Sequence, residues 1–345
     1  MRYKLFVVIL LLVLTSAFSQ AAATKSKSKK TNQRRLEVRV KPFIDLYFFV
    51  YKFASSSEQP PVIEGFAQAV DAARHVPIFL PLTDLALFRC DNAKDAERAF
   101  AQFPETQKLR NGEVIPLRQR AVHLAQTLAV IERPFAQRIW PQHRVAIQQA
   151  ESRIAQSLEP REREIFAYFT SHLGMDDSTS NYVVPVYLVA EGPWPAAFTA
   201  QGKASAHGMC LVNVGATQGS KLFEATLHEA IHALDFETKD NALTDLRSQL
   251  LKAGFDQNDF IVREAPHLLV FIQSVETVRR FVDASYDPYA QGVFARAAIQ
   301  PLTNIVRPIW TAYLDGKLSR EHALNQIVDG FIKARKDAPA KTRPN

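Results

Sequence analysis

Cysteine is almost missing from this chain: Cys90 and Cys210 are the two in 345 residues. Neither belongs to a C-x-x-C pair, which excludes a four-cysteine structural zinc site. In an exported protein the two are able to form one disulfide, but sequence separation does not show that they meet. Long apolar runs are equally scarce. The single such run, Leu5 to Leu14, is too short for a comfortable bilayer span, so no integral membrane segment is expected in the mature chain. A strong charge excess is absent from the part expected to fold. The formal net charge is +7, yet Arg2 and Lys4 lie in a leader and Lys25, Lys27, Lys29, Lys30, Arg34 and Arg35 in one short tail. The remainder is close to neutral, which argues against a nucleic-acid partner. With 47% hydrophobic and 22% charged residues, wholesale disorder is excluded. The length suffices for one large domain or two smaller ones.

What is present begins with the leader. A positive n-region, the apolar core and small residues at Ala17 and Ser19 read as a secretory signal peptide over residues 1–19. No cysteine follows the apolar run, so lipoprotein processing is not expected. The chain is therefore expected in the periplasm or secreted. Residues 20–36 are polar, small and basic and read as a solvated linker, with attraction to anionic lipid or cell-wall polymer as the functional alternative.

The ordered part reads as α+β and mainly helical. Leu36 to Val40 alternates like a strand. Ile44 to Phe53 is apolar nearly all round, either a buried helix or a long central strand, with Pro42 before it favouring helix. Helices follow over 63–74, 92–103 and, in strong periodicity, from Pro116 to Leu173, with an extended piece at 77–80. A polar break at 175–181 divides a helical part (37–180) from a second part (181–335), and a basic tail occupies 336–345. Tyr182 to Val189 reads as a strand, with Pro185 pointing to a sheet edge. Residues 208–214 read as another strand. Helices are expected near 241–253, 259–283, 289–313 and 318–335.

One motif organises the second part. His228-Glu229-Ala230-Ile231-His232 is H-E-x-x-H, where a helix is expected after a strand and a turn ending in Ser220. On a helix, residues four apart share a face, so both imidazoles can reach one metal ion while Glu229 stands beside them as a base. Phe223, Leu227, Ile231 and Leu234 would anchor the helix in a core.

Over residues 205–282 the chain resembles the zincin superfamily of zinc metallopeptidases. The short strand and acidic-apolar helix near the mature N-terminus are also similar to exported bacterial HExxH proteins that are uncharacterised. The resemblance implies zinc, a peptide or protein substrate, and hydrolysis by a zinc-activated water with Glu229 as general base. It also makes residues 205–214 a peptide-docking strand, against the alternative that another strand covers them.

Three protein ligands are expected at a catalytic zinc site. The metzincin extension fails, because Asp235 stands where Gly is needed and Thr238 where the third His is needed. A gluzincin-like third ligand would be a downstream Glu. Glu276, mid-helix among apolar residues, is favoured over Glu264, which has an easy role near a helix start. An ion pair of Glu276 with Arg280 is the structural alternative. His267, Tyr286 and Tyr289 are candidates for the oxyanion donor, and Tyr286 is expected to act with Glu229 as a catalytic residue. His75, His123, His143, His172 and His322 read as structural. The rival readings are a non-catalytic zincin-like envelope binding protein, or an accidental motif in a helical protein. N-terminal sequencing of protein recovered from envelope or medium should begin at Gln20 or just beyond. An intact Met1 form held in the membrane would contradict the export reading.

Overall fold

The computed structural model describes residues 35–78, 86–109, 111–175, 182–194, 196–201, 208–235 and 240–337. The leader, nearly all of the basic linker and the end of the C-terminal tail lie outside them, as do residues 79–80 of the extended piece at 77–80. The fold is α+β and mainly helical with one small mixed sheet. The sheet runs β1 (Leu36–Arg39), β4 (Val184–Val189), β6 (Gly208–Asn213), β5 (Ala197–Gln201) in spatial order. β1, β4 and β6 are parallel, and β5 is antiparallel to β6. A separate two-residue ladder joins β2 (Gln107–Lys108) and β3 (Val114–Ile115).

Period-2 alternation divides the buried side chains of the sheet between two cores. Tyr187 and Val189 of β4, Leu211 of β6 and Ala200 of β5 face α1 (Pro42–Ala54), α2 (Phe66–Arg74), α3 (Ala93–Phe100) and α4 (Leu117–Arg138). Val184, Val186 and Leu188 with Cys210 and Val212 face the other core. There they meet α5 (Trp140–Ser157), α6 (Glu162–Leu173), α7 (Lys221–Asp235), α8 (Ala242–Lys252), α9 (Phe260–Phe281), α11 (Gln300–Leu314) and α12 (Arg320–Asp337). A single-turn α10 (Gln291–Phe294) precedes α11. Helices before and after the break at 175–181 thus share one core, and β1 pairs with β4. The break marks a change of composition within one packed unit that begins at Arg35.

Local chemistry explains most elements. Ile44 to Phe53 lies in the helix α1, started by Pro42 and buried nearly all round, as suits a helix packed on a sheet and on neighbouring helices. In α4, Leu117, Ala121, Leu124, Leu128, Ile131 and Phe135 form the buried stripe. Asn241 and Thr244 close a reciprocal capping box on α8.

Three expectations are corrected, and the open question of the two cysteines is answered. β4 is an interior strand rather than an edge. Val184 N–H donates to Arg35 in the β1 direction, so the missing N–H of Pro185 falls on the β6 side, and the β6 register starts only at Val186. β6 is interior too, flanked by β4 and β5, so it has no free edge for a peptide. The edge beside β6 is β5, a strand the sequence pattern did not reveal, and β1 forms the other edge. The helix expected over 289–313 is two helices, α10 and α11, because Pro301 starts a new one. Cys90 and Cys210 are free thiols buried in different cores, so they do not pair.

A buried polar bridge joins the layers. Asp45 on α1 is fully buried, accepts the Ala190 N–H at 2.7 Å through one oxygen, and meets His143 Nδ1 of α5 at 2.6 Å through the other. Asp45→Ala would leave both partners without their acceptor, so it should cost about 3–5 kcal/mol of unfolding free energy. Urea denaturation measures this. A loss under about 1 kcal/mol would mean that the bridge is not structural.

Candidate metal centre

Helix α7 carries the H-E-x-x-H motif through the centre of the molecule. From Leu222 to Leu234 every side chain except His232 is buried, against β4, β5 and β6 on one side and α9 on the other. Its approach is set by the turn after β6. Asn213 Nδ2 donates to the Trp194 carbonyl at 3.0 Å, and Thr217 Oγ1 donates to the Asn213 carbonyl at 2.7 Å. Gly215 is required here: a Cβ would sit 2.6 Å from the Ala190 carbonyl oxygen. Ser220, expected to cap α7, instead donates its hydroxyl to Asp283 Oδ2 at 2.9 Å. Glu224, one turn before His228, accepts from the Tyr286 hydroxyl and from the Tyr289 and Ala290 N–H groups. These bonds fasten the segment after α9 to the start of α7.

Three imidazoles converge between α7 and α9. His228 Nε2 lies 3.1 Å from His267 Nε2 and 3.2 Å from His232 Nε2. All three donor atoms fall within 4.8 Å of one another, the one such group among the described residues. Burial, with smaller contributions from the neighbouring imidazoles, holds the His228 ring far below its ordinary pKa. Burial and then His267 push His232 down to about 3. Neutral rings carry a lone pair on the nitrogen that lacks the proton, which is the form a metal requires. Tetrahedral zinc with nitrogens at roughly 2.0–2.1 Å would set them roughly 3.3 Å apart, which the two spacings from His228 match. Phe271 covers two of the rings, with centroids 4.2 Å from His228 and 4.7 Å from His267.

Glu229 points into the same cavity. Its Oε2 accepts from the Thr199 hydroxyl at 2.7 Å, and that hydroxyl also lies 2.9 Å from the Glu229 carbonyl oxygen. Burial pushes the carboxyl up to about 7, against the opposing effect of Thr199. The acid therefore sits where it can hold or release a proton near neutrality.

The third histidine is the residue that sequence reasoning misassigned. His267 was grouped with the oxyanion candidates, but its ring joins the other two. Glu276, expected as third ligand, is outside the group and the cavity lining, and its Oε1 pairs with Arg279 Nη1 at 3.0 Å. Arg280, the partner expected for it, lies over the Tyr168 ring. Glu264 lines the cavity with Oε2 at 3.8 Å from His267 Nδ1, and contact with that ring holds its carboxyl below the ordinary range. It faces the Nδ1 side of the His267 ring and stands outside the group of three. Tyr286 is occupied by Glu224 and is not on the cavity wall; Tyr289 is. The signal for His267 was its place on α9, one turn from a carboxylate, but nothing in the sequence says which face of α9 meets α7.

The cavity is about 490 Å³, within the roughly 300–1,000 Å³ usual for ligand sites. One wall is the edge strand, from Ala196 to Thr199; another is α9, with Leu268 and Phe271; a third is the 289–299 segment. No protein-family model, curated protein or solved structure matches the chain.

Purified under zinc-replete conditions, the chain should carry about one metal ion. His228→Ala, His232→Ala and His267→Ala should each abolish binding, and Glu276→Gln should leave it intact. Glu264→Gln should weaken affinity about 10–100-fold. Competition with a chromogenic chelator checks all five, and a wild-type chain that takes up no metal would reduce the cluster to a packing coincidence.

Proposed function

We propose that this chain is an exported zinc-dependent hydrolase of zincin type, acting on peptides. The observation that carries the reading is the joint placement of three convergent imidazoles and a buried carboxylate in one cavity beside a sheet edge. His228, His232 and His267 would hold the ion. When bound, zinc supplies Lewis acidity, making a water acidic at neutral pH and polarising a carbonyl oxygen.

Glu229 is the base. Its carboxylate accepts a proton from the attacking water and returns one to the departing amine as the C–N bond breaks. Thr199 fixes one carboxylate oxygen, leaving the other directed at the reacting groups. Tyr289 stands on the wall as the side-chain hydroxyl able to donate to a developing oxyanion.

The edge strand supports a peptide substrate. Asn213 N–H donates to the Ala196 carbonyl, so the hydrogen-bonded pairs are those of Ala196, Phe198 and Ala200. The N–H and C=O groups of Ala197 and Thr199 then point away from β6, to a side that no described strand covers. An extended chain can pair there with its backbone beside Glu229. This moves the docking strand expected at 205–214 to 197–201. Among the described residues no helix is long and apolar enough to cross a membrane. The leader and the basic linker support a location in the periplasm or outside the cell.

Glu229→Gln should keep metal and fold while hydrolysis of a quenched-fluorescence peptide library falls by several orders of magnitude. Thr199→Val should lower kcat, with Thr199→Ser restoring it. Full activity in Glu229→Gln would remove Glu229 from the mechanism. A metal-loaded wild type inert on every library would leave the binding-protein reading in possession.

A further inference from the structure

The cavity holds three carboxylates, and each has a partner. Glu224 accepts three hydrogen bonds, Glu229 is held by Thr199, and Glu264 faces His267. The cavity also holds one guanidinium. Arg296 lines the third wall and has no ion-pair partner among the described residues. It owes its position to the break between α10 and α11, where the chain turns instead of continuing as one helix. Tyr289 lies on the same wall. Burial raises the Tyr289 phenol, and the Arg296 charge acts in the opposite sense, so the two groups share a locale. Val293 and Ile299, three residues either side, are apolar and also line the wall.

An exposed guanidinium without an ion-pair partner, on the wall of a cavity, is free to meet a complementary anion. A guanidinium presents a planar fork that matches a carboxylate. We propose that Arg296 is the carboxylate-recognition residue of this cavity, and that the preferred ligands are peptides presenting a carboxylate to the 289–299 wall. The carboxylate comes from the peptide's own C-terminus or from an acidic side chain. The inference rests on the peptide-hydrolase reading for its ligand class, but its test needs no turnover.

Four probes separate the sources: N-acetyl-leucyl-phenylalanine and its C-terminal amide, and the α-amides of N-acetyl-leucyl-glutamate and N-acetyl-leucyl-glutamine. Isothermal titration is run on the mature full-length chain, zinc-loaded and metal-free, with circular dichroism as the fold control. In at least one pair the acid should bind about tenfold tighter than its neutral partner. Arg296→Gln should reduce that ratio to within about twofold while leaving the neutral probe unchanged. Arg296→Lys should keep part of the preference. Preference for the first pair assigns a terminal carboxylate, and for the second an acidic side chain. Four probes binding equally, or none binding, would overturn the proposal. So would an acid preference that survives Arg296→Gln, or one present only with zinc, since the ion itself would then hold the carboxylate. Arg296-dependent preference in a chain that hydrolyses nothing would sink the hydrolase reading and leave this one standing.

Discussion

Everything at the candidate centre depends on the packing of α9 across α7. Placing one imidazole nitrogen within 3.2 Å of two others, largely out of water, is unfavourable unless something shares their lone pairs. A protonated ring would face two neighbours without an anion between them, and burial already forces His228 and His232 neutral. A divalent ion resolves the conflict, because it turns mutual crowding into coordination. The helices can hold this arrangement because their other contacts are apolar: Leu227, Ile231 and Leu234 on one, Leu268, Leu269 and Ile272 on the other.

Glu229 belongs to a second packing relation, that of α7 on the edge of the sheet. Thr199 reaches Glu229 only because β5 turns alternate side chains toward α7 and sends Phe198 into the opposite core, against Phe48 and Trp194. One strand therefore supplies a hydrogen bond to the carboxylate and a free backbone edge next to it. Glu224 plays the corresponding part on the other side. Its three accepted hydrogen bonds bring the 286–290 segment, and with it the wall carrying Tyr289, onto the start of α7.

Much of this architecture was legible from residue order. The i, i+4 spacing of His228 and His232 reports a shared helix face whatever the rest of the fold does. The apolar stripe of α4 and the cap of α8 are likewise local patterns with local causes. The failures share a different character. β5 reads Ala-Phe-Thr-Ala-Gln, with only Phe and Thr strongly suited to a strand, so its identity rests on pairing with β6. Pro185 marks the place where one neighbour's register has not begun, which no pattern within β4 discloses. Glu276 looked like a buried acid seeking a metal, whereas Arg279, three residues on, satisfies it at the helix surface.

Sequence by itself determined the secondary structure around the motif, the placing of His228, Glu229 and His232 on one helix, and the α+β, mainly helical class. Those features follow from interactions between residues a few positions apart, which the chain imposes on itself. Tertiary structure alone decided the third histidine, the Thr199 contact, the exposed edge and the lone guanidinium of Arg296. Each depends on how separate elements cross: which face of α9 meets α7, which strand ends the sheet, where α10 gives way to α11. Such crossings are settled by the burial of a whole core, and no short stretch of sequence contains that information.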